Sequence, residues 1–163
     1  MNRRNLLIST AATAAMFPLT GAAFAQSGTI EQAKLAALMG GDFATATSQL
    51  ALKKGNHAAV KTFAQLEITE QAAVAEAFGF KPGSAGISQK HAAMLEKLQA
   101  AEGAEFDEMY IEGQIDGHEE LLAIHKKYAR SGDDPMARGA SMVGVTGIQS
   151  HLVMLKGIKS MIG

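Results

Sequence analysis

From Gln26 to its end the chain has no stretch that alternates apolar and polar residues as a half-buried strand must, and Ala, Leu, Met, Lys, Glu and Gln dominate. Unbranched side chains lose little rotamer freedom on a helix, so this composition favours helix almost everywhere. The expected fold class is all-α. A chain of 163 residues, with 47% hydrophobic residues and a formal net charge of -1, fits one globular domain with one core. There is no cysteine, so disulfides and thiolate chemistry are excluded and any bound metal must use imidazole and carboxylate ligands.

Glycines and prolines divide the helical sequence into five segments. The first runs from about residue 29 to Lys54 and stops at Gly55, with the Gly40-Gly41 pair marking a candidate kink. Asn56 is the expected cap of the second, which reaches about Phe78. Gly79, Pro82, Gly83 and Gly86 then make a connection expected to be flexible, before a short segment capped by Ser88. Gly103 separates this from a long segment ending near Arg130, and Asp134 followed by Pro135 opens the last. Four long helices, mostly with short connections, predict an antiparallel four-helix bundle with one short extra helix.

Residues 1–25 read differently. Arg3 and Arg4 precede an apolar stretch of small residues, and Ala23-Phe24-Ala25 before Gln26 is the small-x-small pattern of a signal-peptidase site. The expectation is cleavage between Ala25 and Gln26, leaving residues 26–163 as a periplasmic domain with no stable membrane span. The paired arginines followed by Asn5-Leu6-Leu7 also resemble a twin-arginine signal, and both export routes stay open. Acidic and basic residues are interspersed along the chain and Trp is absent, which argues against a nucleic-acid partner; no other partner can be named.

Helical periodicity places several polar side chains inward. On a wheel at 100° per residue, Phe106, Tyr110, Leu121, Leu122, Ile124 and Tyr128 share an arc that also holds Asp107, Gln114, His118 and His125. In the second segment Phe63, Leu66, Val74 and Ala77 define a face with Glu70 at its middle, Glu67 about 60° to one side and Gln71 about 100° away. His151 flanks the Val145, Ile148, Leu152 and Leu155 stripe of the last segment, and His91 lies near Leu95 and Leu98. Levels counted from the turns set Glu70 opposite Gly41 and His151 opposite Gln114, leaving His118 and His151 offset by about 6 Å along the bundle. That offset suits a bridged contact better than joint ligation of one ion.

Several of these residues resemble a bacterial exported family. Gly40-Gly41, Val60-Lys61-Thr62-Phe63-Ala64-Gln65, Gly103-Ala104-Glu105-Phe106-Asp107 with Tyr110, Gly117-His118-Glu119 and His151-Leu152 are similar, in this order, to domain of unknown function 4142. The resemblance covers nearly the whole mature chain. It implies a ferritin-like helical bundle and an exported location, and members are often labelled outer-membrane proteins. It implies no activity. The chain departs from the family at Glu70-Gln71, where members carry an Asp-His pair, and at Ala44 and Ala46, where they carry acids; His118 and His151 remain of three usual histidines.

Two readings of the inward polar residues stay open. In one, Glu70, Gln71, Asp107, Tyr110, Gln114, His118, His125 and His151 form a hydrogen-bonded interior network that fixes helix register in a structural, binding or stress-related protein. In the other, Glu70, His118 and His151 hold a single transition metal. A ferritin-type di-metal site is not expected, because it uses Glu-x-x-His pairs and the chain has none. No catalytic constellation is recognisable, so no enzyme activity and no cofactor beyond that metal are expected.

Overall fold

The computed structural model describes residues 31–163. The signal segment, the Ala25-Gln26 cleavage site and the start of the first segment at residue 29 lie outside the described residues. The described chain forms α1 (Gln32–Lys54), α2 (Ala58–Ala77), α3 (Gln89–Ala100), α4 (Gly103–Ser131) and α5 (Pro135–Ile162), with no strand among these residues.

The caps are mostly the expected ones. Ser88 Oγ accepts from His91 N at 3.2 Å, and Asp134 accepts from Met136 N and Ala137 N at 2.9 and 3.2 Å, with Pro135 in the first turn where its missing N–H costs nothing. Asn56 is not the cap of α2; His57 is, its Nδ1 accepting from Ala59 N at 3.1 Å. A long-range contact takes the place of a local one, because Asp107 accepts both Asn56 N (2.9 Å) and His57 N (2.7 Å), tying the α1–α2 turn to the start of α4. Asp42 holds the 79–86 connection in the same way, accepting from Gly83 N, Ala85 N and Gly86 N at 2.7 to 2.9 Å. The connection expected to be flexible is therefore tied down.

Gly40 and Gly41 do not break α1, which runs continuously through both. They permit close approach: a β-carbon at 40 would lie 2.7 Å from Leu121 Cδ2, and one at 41 would lie 2.5 Å from Gln71 Oε1.

Cross-helix contacts give the topology. Ser48 meets Tyr110 and Gly40 meets Leu121, so α1 and α4 are antiparallel neighbours. Glu67 meets His151 and Glu70 meets Gly147, so α2 and α5 are antiparallel as well. Short turns make α1–α2 and α4–α5 antiparallel, leaving α2 and α4 parallel on one diagonal. The long crossover between that pair carries α3, which packs on α1 and α4 through His91 stacked on Phe43 and Met94 against Gly113. The result is a four-helix bundle with a short fifth helix.

Its interior is layered. Val60, Phe63, Phe106, Ile111, Leu155 and Ile158 fill one end, and Leu38, Ala75, Phe78, Tyr128 and Ala137 the other. Between these apolar plugs lie the buried polar side chains of Thr47, Ser48, Glu67, Gln71, Gln114, His118, His125, Ser141 and His151. A polar layer sealed at both ends must satisfy itself, since unpaired polar groups there cost free energy that packing cannot return.

Candidate metal centre

Three helices bring three ligand atoms to one point. His118 from α4, His151 from α5 and Glu67 from α2 are buried. Glu67 Oε2 lies 3.3 Å from His118 Nε2 and 3.2 Å from His151 Nδ1, and the two nitrogens are 3.2 Å apart. The atoms form a nearly equilateral triangle. A tetrahedral ion with N and O ligands at about 2.0–2.1 Å imposes ligand–ligand distances of about 3.3–3.4 Å, so the edges match such a site with one position left open.

The outer partners fix the inner atoms. His118 Nδ1 sits 2.7 Å from the Gln114 carbonyl oxygen, which only accepts, so Nδ1 carries the hydrogen and the Nε2 lone pair is left for the triangle. His151 Nε2 lies 3.2 Å from Glu70 Oε2 and carries its hydrogen for the same reason, which turns Nδ1 inward. Glu67 Oε1 accepts from Gln71 Nε2 at 2.8 Å, while no donor is aligned on Oε2 although that atom is buried. An imidazole backed by a carbonyl, an imidazole backed by a carboxylate and a carboxylate backed by an amide are the outer partners that orient metal ligands.

The electrostatics of the metal-free cluster agree. Burial alone pushes the Glu67 carboxyl up, but the His118 and His151 imidazoles outweigh it and bring it down to about 2. His151 is raised to about 10 by Glu67 and then Glu70, against burial. Without an ion, a protonated His151 thus lies between two carboxylates, and the cluster holds its positive charge as a proton.

The sequence expectations are met in part. Glu67, not Glu70, is the third member of the triangle. Glu70 is half-buried and acts from outside through His151 Nε2. The helical wheel misplaced the face because it counted Leu66 as core, whereas Leu66 is 48% exposed; the face is set by Phe63, Ala64, Glu67, Gln71 and Ala75. Gln71, not Glu70, packs against Gly41, and Glu70 lies against Gly147. The expected 6 Å offset between His118 and His151 does not keep their rings apart, since Nε2 and Nδ1 lie 3.2 Å from each other. Helical side chains lean toward the N-terminus, so on antiparallel helices both residues reach a level lower in number than their own backbones, and pairs with a larger number sum meet.

The remaining candidates are buried but stand outside the triangle. Gln114 Nε2 donates to Thr47 Oγ1 at 2.8 Å, Tyr110 shares a 2.9 Å hydrogen bond with Ser48, and Asp107 caps the α1–α2 turn. His125 pairs with Ser141 Oγ at 3.0 Å, and burial holds its imidazole down to about 4, hence neutral. Glu67, Ser48, Thr47 and Ser141 were missed. Glu67 was legible as the residue one turn before Gln71 on the Phe63 side of the helix; Ser48, Thr47 and Ser141 carry no periodic signal of their own.

One family model matches, that of a Domain of unknown function (DUF4142), over residues 10–158. No curated protein and no solved structure matches the chain. The family match spans nearly the whole chain and includes all three residues of the triangle; the chain belongs to the DUF4142 family of unknown function.

Proposed function

We propose that this chain is an exported metal-binding protein in which Glu67, His118 and His151 hold one divalent first-row transition ion in the core of a ferritin-like bundle. The observation that carries the reading is the triangle itself: three buried ligand atoms 3.2 to 3.3 Å apart, one of them a carboxylate oxygen on which no donor is aligned. Two imidazole nitrogens and one carboxylate oxygen suit zinc, iron or copper. Bound there, the ion supplies the positive charge that the His151 proton otherwise supplies. Glu70 holds His151 in the required tautomer, Gln114 does the same for His118 through its carbonyl, and Gln71 fixes the rotation of Glu67.

The role is binding rather than catalysis. The groove of about 340 Å³ between α2 and α5 is lined by Glu70, Val74, Val143 and Gly147 and touches the centre only through Glu70, which suits passage of an ion. The small-residue signal segment and the Ala25-Gln26 site support export.

The interior-network reading also has an observation in its favour, since the metal-free cluster closes its charge through a protonated His151 between Glu67 and Glu70. Elemental analysis of the mature protein purified from periplasm separates the two. Near-stoichiometric metal that disappears in His118→Ala supports the metal centre. A metal-free wild-type protein that also takes up no added zinc leaves only the network.

A further inference from the structure

α5 exposes a stripe that nothing among the described residues covers. Gly139, Val143, Thr146, Ser150, Val153 and Gly157 are all exposed, with the two valines at 75% and 74%. Their spacing alternates four and three residues, the repeat of a helix-pairing seam. Gly139 and Gly157 each lie nine residues from the buried Ile148 and so point directly away from it at 100° per residue.

The two glycines need an explanation. Elsewhere in α5 Gly144 makes room for His125 and Gly147 for Glu70, but nothing stands within 4 Å of a β-carbon at 139 or 157. Glycine weakens an exposed helix, and neither position makes room for another of the described residues. Close approach of another backbone accounts for both.

The stripe is also a palindrome about Ile148. Glycine at 139 mirrors glycine at 157, valine at 143 mirrors valine at 153, and threonine at 146 mirrors serine at 150. An isologous contact requires this, because residue i must meet residue j of the other copy while j meets i. In an antiparallel helix pair each layer joins one seam position to its counterpart of the other type, and these three pairs are those layers.

The surrounding surface fits a self-contact. Along the neighbouring edge of α2, Ala58, Thr62, Gln65, Leu66, Thr69 and Ala73 are exposed and uncharged. Two helices about 10 Å wide, 28 and 20 residues long, give a face on the order of 700 Å² per copy. A standard stable interface uses roughly 800 Å² per partner. On the other flank of α5, α4 exposes Glu105, Glu108, Glu112, Asp116 and Glu119, with Glu112 paired to Lys159 of α5 at 2.9 Å, so charge bounds the face on that side and its uncharged part extends over α2.

We propose that two copies of this chain pair through α5, antiparallel and in register about Ile148. The contact sets Val153 of the second copy against Val143, at the mouth of the groove that leads to Glu70, and so covers the solvent side of the polar layer. This pairing stands on the surface alone and does not depend on a metal being bound.

Sedimentation of the mature protein over a wide dilution range is expected to give twice the chain mass at the concentrated end, with Val143→Lys and Val153→Lys each giving the single-chain mass and unchanged helicity. The chain has no cysteine, so the register is open to cross-linking. Val143→Cys mixed with Val153→Cys is expected to form a disulfide-linked pair, and neither variant is expected to link to itself. A wild-type protein that stays single throughout overturns the proposal. So does self-linking of Val143→Cys alone, which signals parallel pairing, or a single chain that pellets with anionic phospholipid vesicles, which assigns the face to a lipid surface.

Discussion

His118 and His125 stand two turns apart on one face of α4, both buried, and their chemistry is opposite. His118 meets a carboxylate and a second imidazole, whereas His125 meets the hydroxyl of Ser141, the edge of Phe78 and the space left by Gly144. Their own helix does not distinguish them. The facing helices do: at the level of His118, α2 supplies Glu67 and α5 supplies His151, while at the level of His125 the residue that caps α2 is Phe78 and α5 supplies Ser141. A buried histidine becomes a ligand candidate through what converges on it, and one with a single neutral partner is a packed polar residue.

The largest expected effect lies at Glu67. Glu67→Ala removes the anion between the two imidazoles and leaves a buried charge on His151 partly uncompensated, so unfolding in urea is expected to show a loss of about 3–5 kcal/mol. His125→Ala opens a cavity and strands the Ser141 hydroxyl, a loss of about 1–3 kcal/mol by the same measurement, with metal content unchanged. Loss of metal in His125→Ala breaks the contrast between the two histidines. Gln71→Ala frees the Glu67 carboxylate to rotate and is expected to weaken metal affinity by roughly 10–100-fold, as outer-partner loss does, with a small change in stability.

The same groups are probed by pH, at about 1.4 kcal/mol per unit per group at most. In the metal-free protein His151 titrates in the fold at about 10, above the unfolded 6.5. Its contribution is complete below pH 6.5 and is lost as pH rises through 10. His125 titrates in the fold at about 4, so between 6.5 and 4 the unfolded chain takes up a proton that the folded chain refuses, and stability falls with acid. Glu67 adds its own loss as pH falls from 4.5 through about 2. A stability maximum near pH 6.5 is expected, and His125→Leu is expected to flatten the arm between 6.5 and 4 while leaving the alkaline arm in place.

Much of the fold was legible because it rests on local physics. Breakers, the Asp134-Pro135 start and the Ser88 cap act within a few residues, and the inward line of Asp107, Gln114, His118 and His125 follows from helical period alone. The site was legible only in part because it depends on rotation and level between helices. A single exposed leucine, Leu66, turned the reading of α2 enough to exchange Glu67 for Glu70, and the lean of helical side chains closed a gap that backbone counting left open between His118 and His151. Asp107 and Asp42 were invisible as loop anchors because their partners are backbone N–H groups about fifty and forty residues away, which no local pattern marks.

The central claim is that Glu67, His118 and His151 form a metal centre while His125 does not. Calorimetric titration of the metal-free mature protein with zinc tests it most directly. The expected result is one ion per chain, with proton release as the ion displaces the His151 proton, abolished by His118→Ala and by Glu67→Gln and unchanged in His125→Ala. No heat of specific binding in the wild type, or equal binding in His118→Ala, contradicts it.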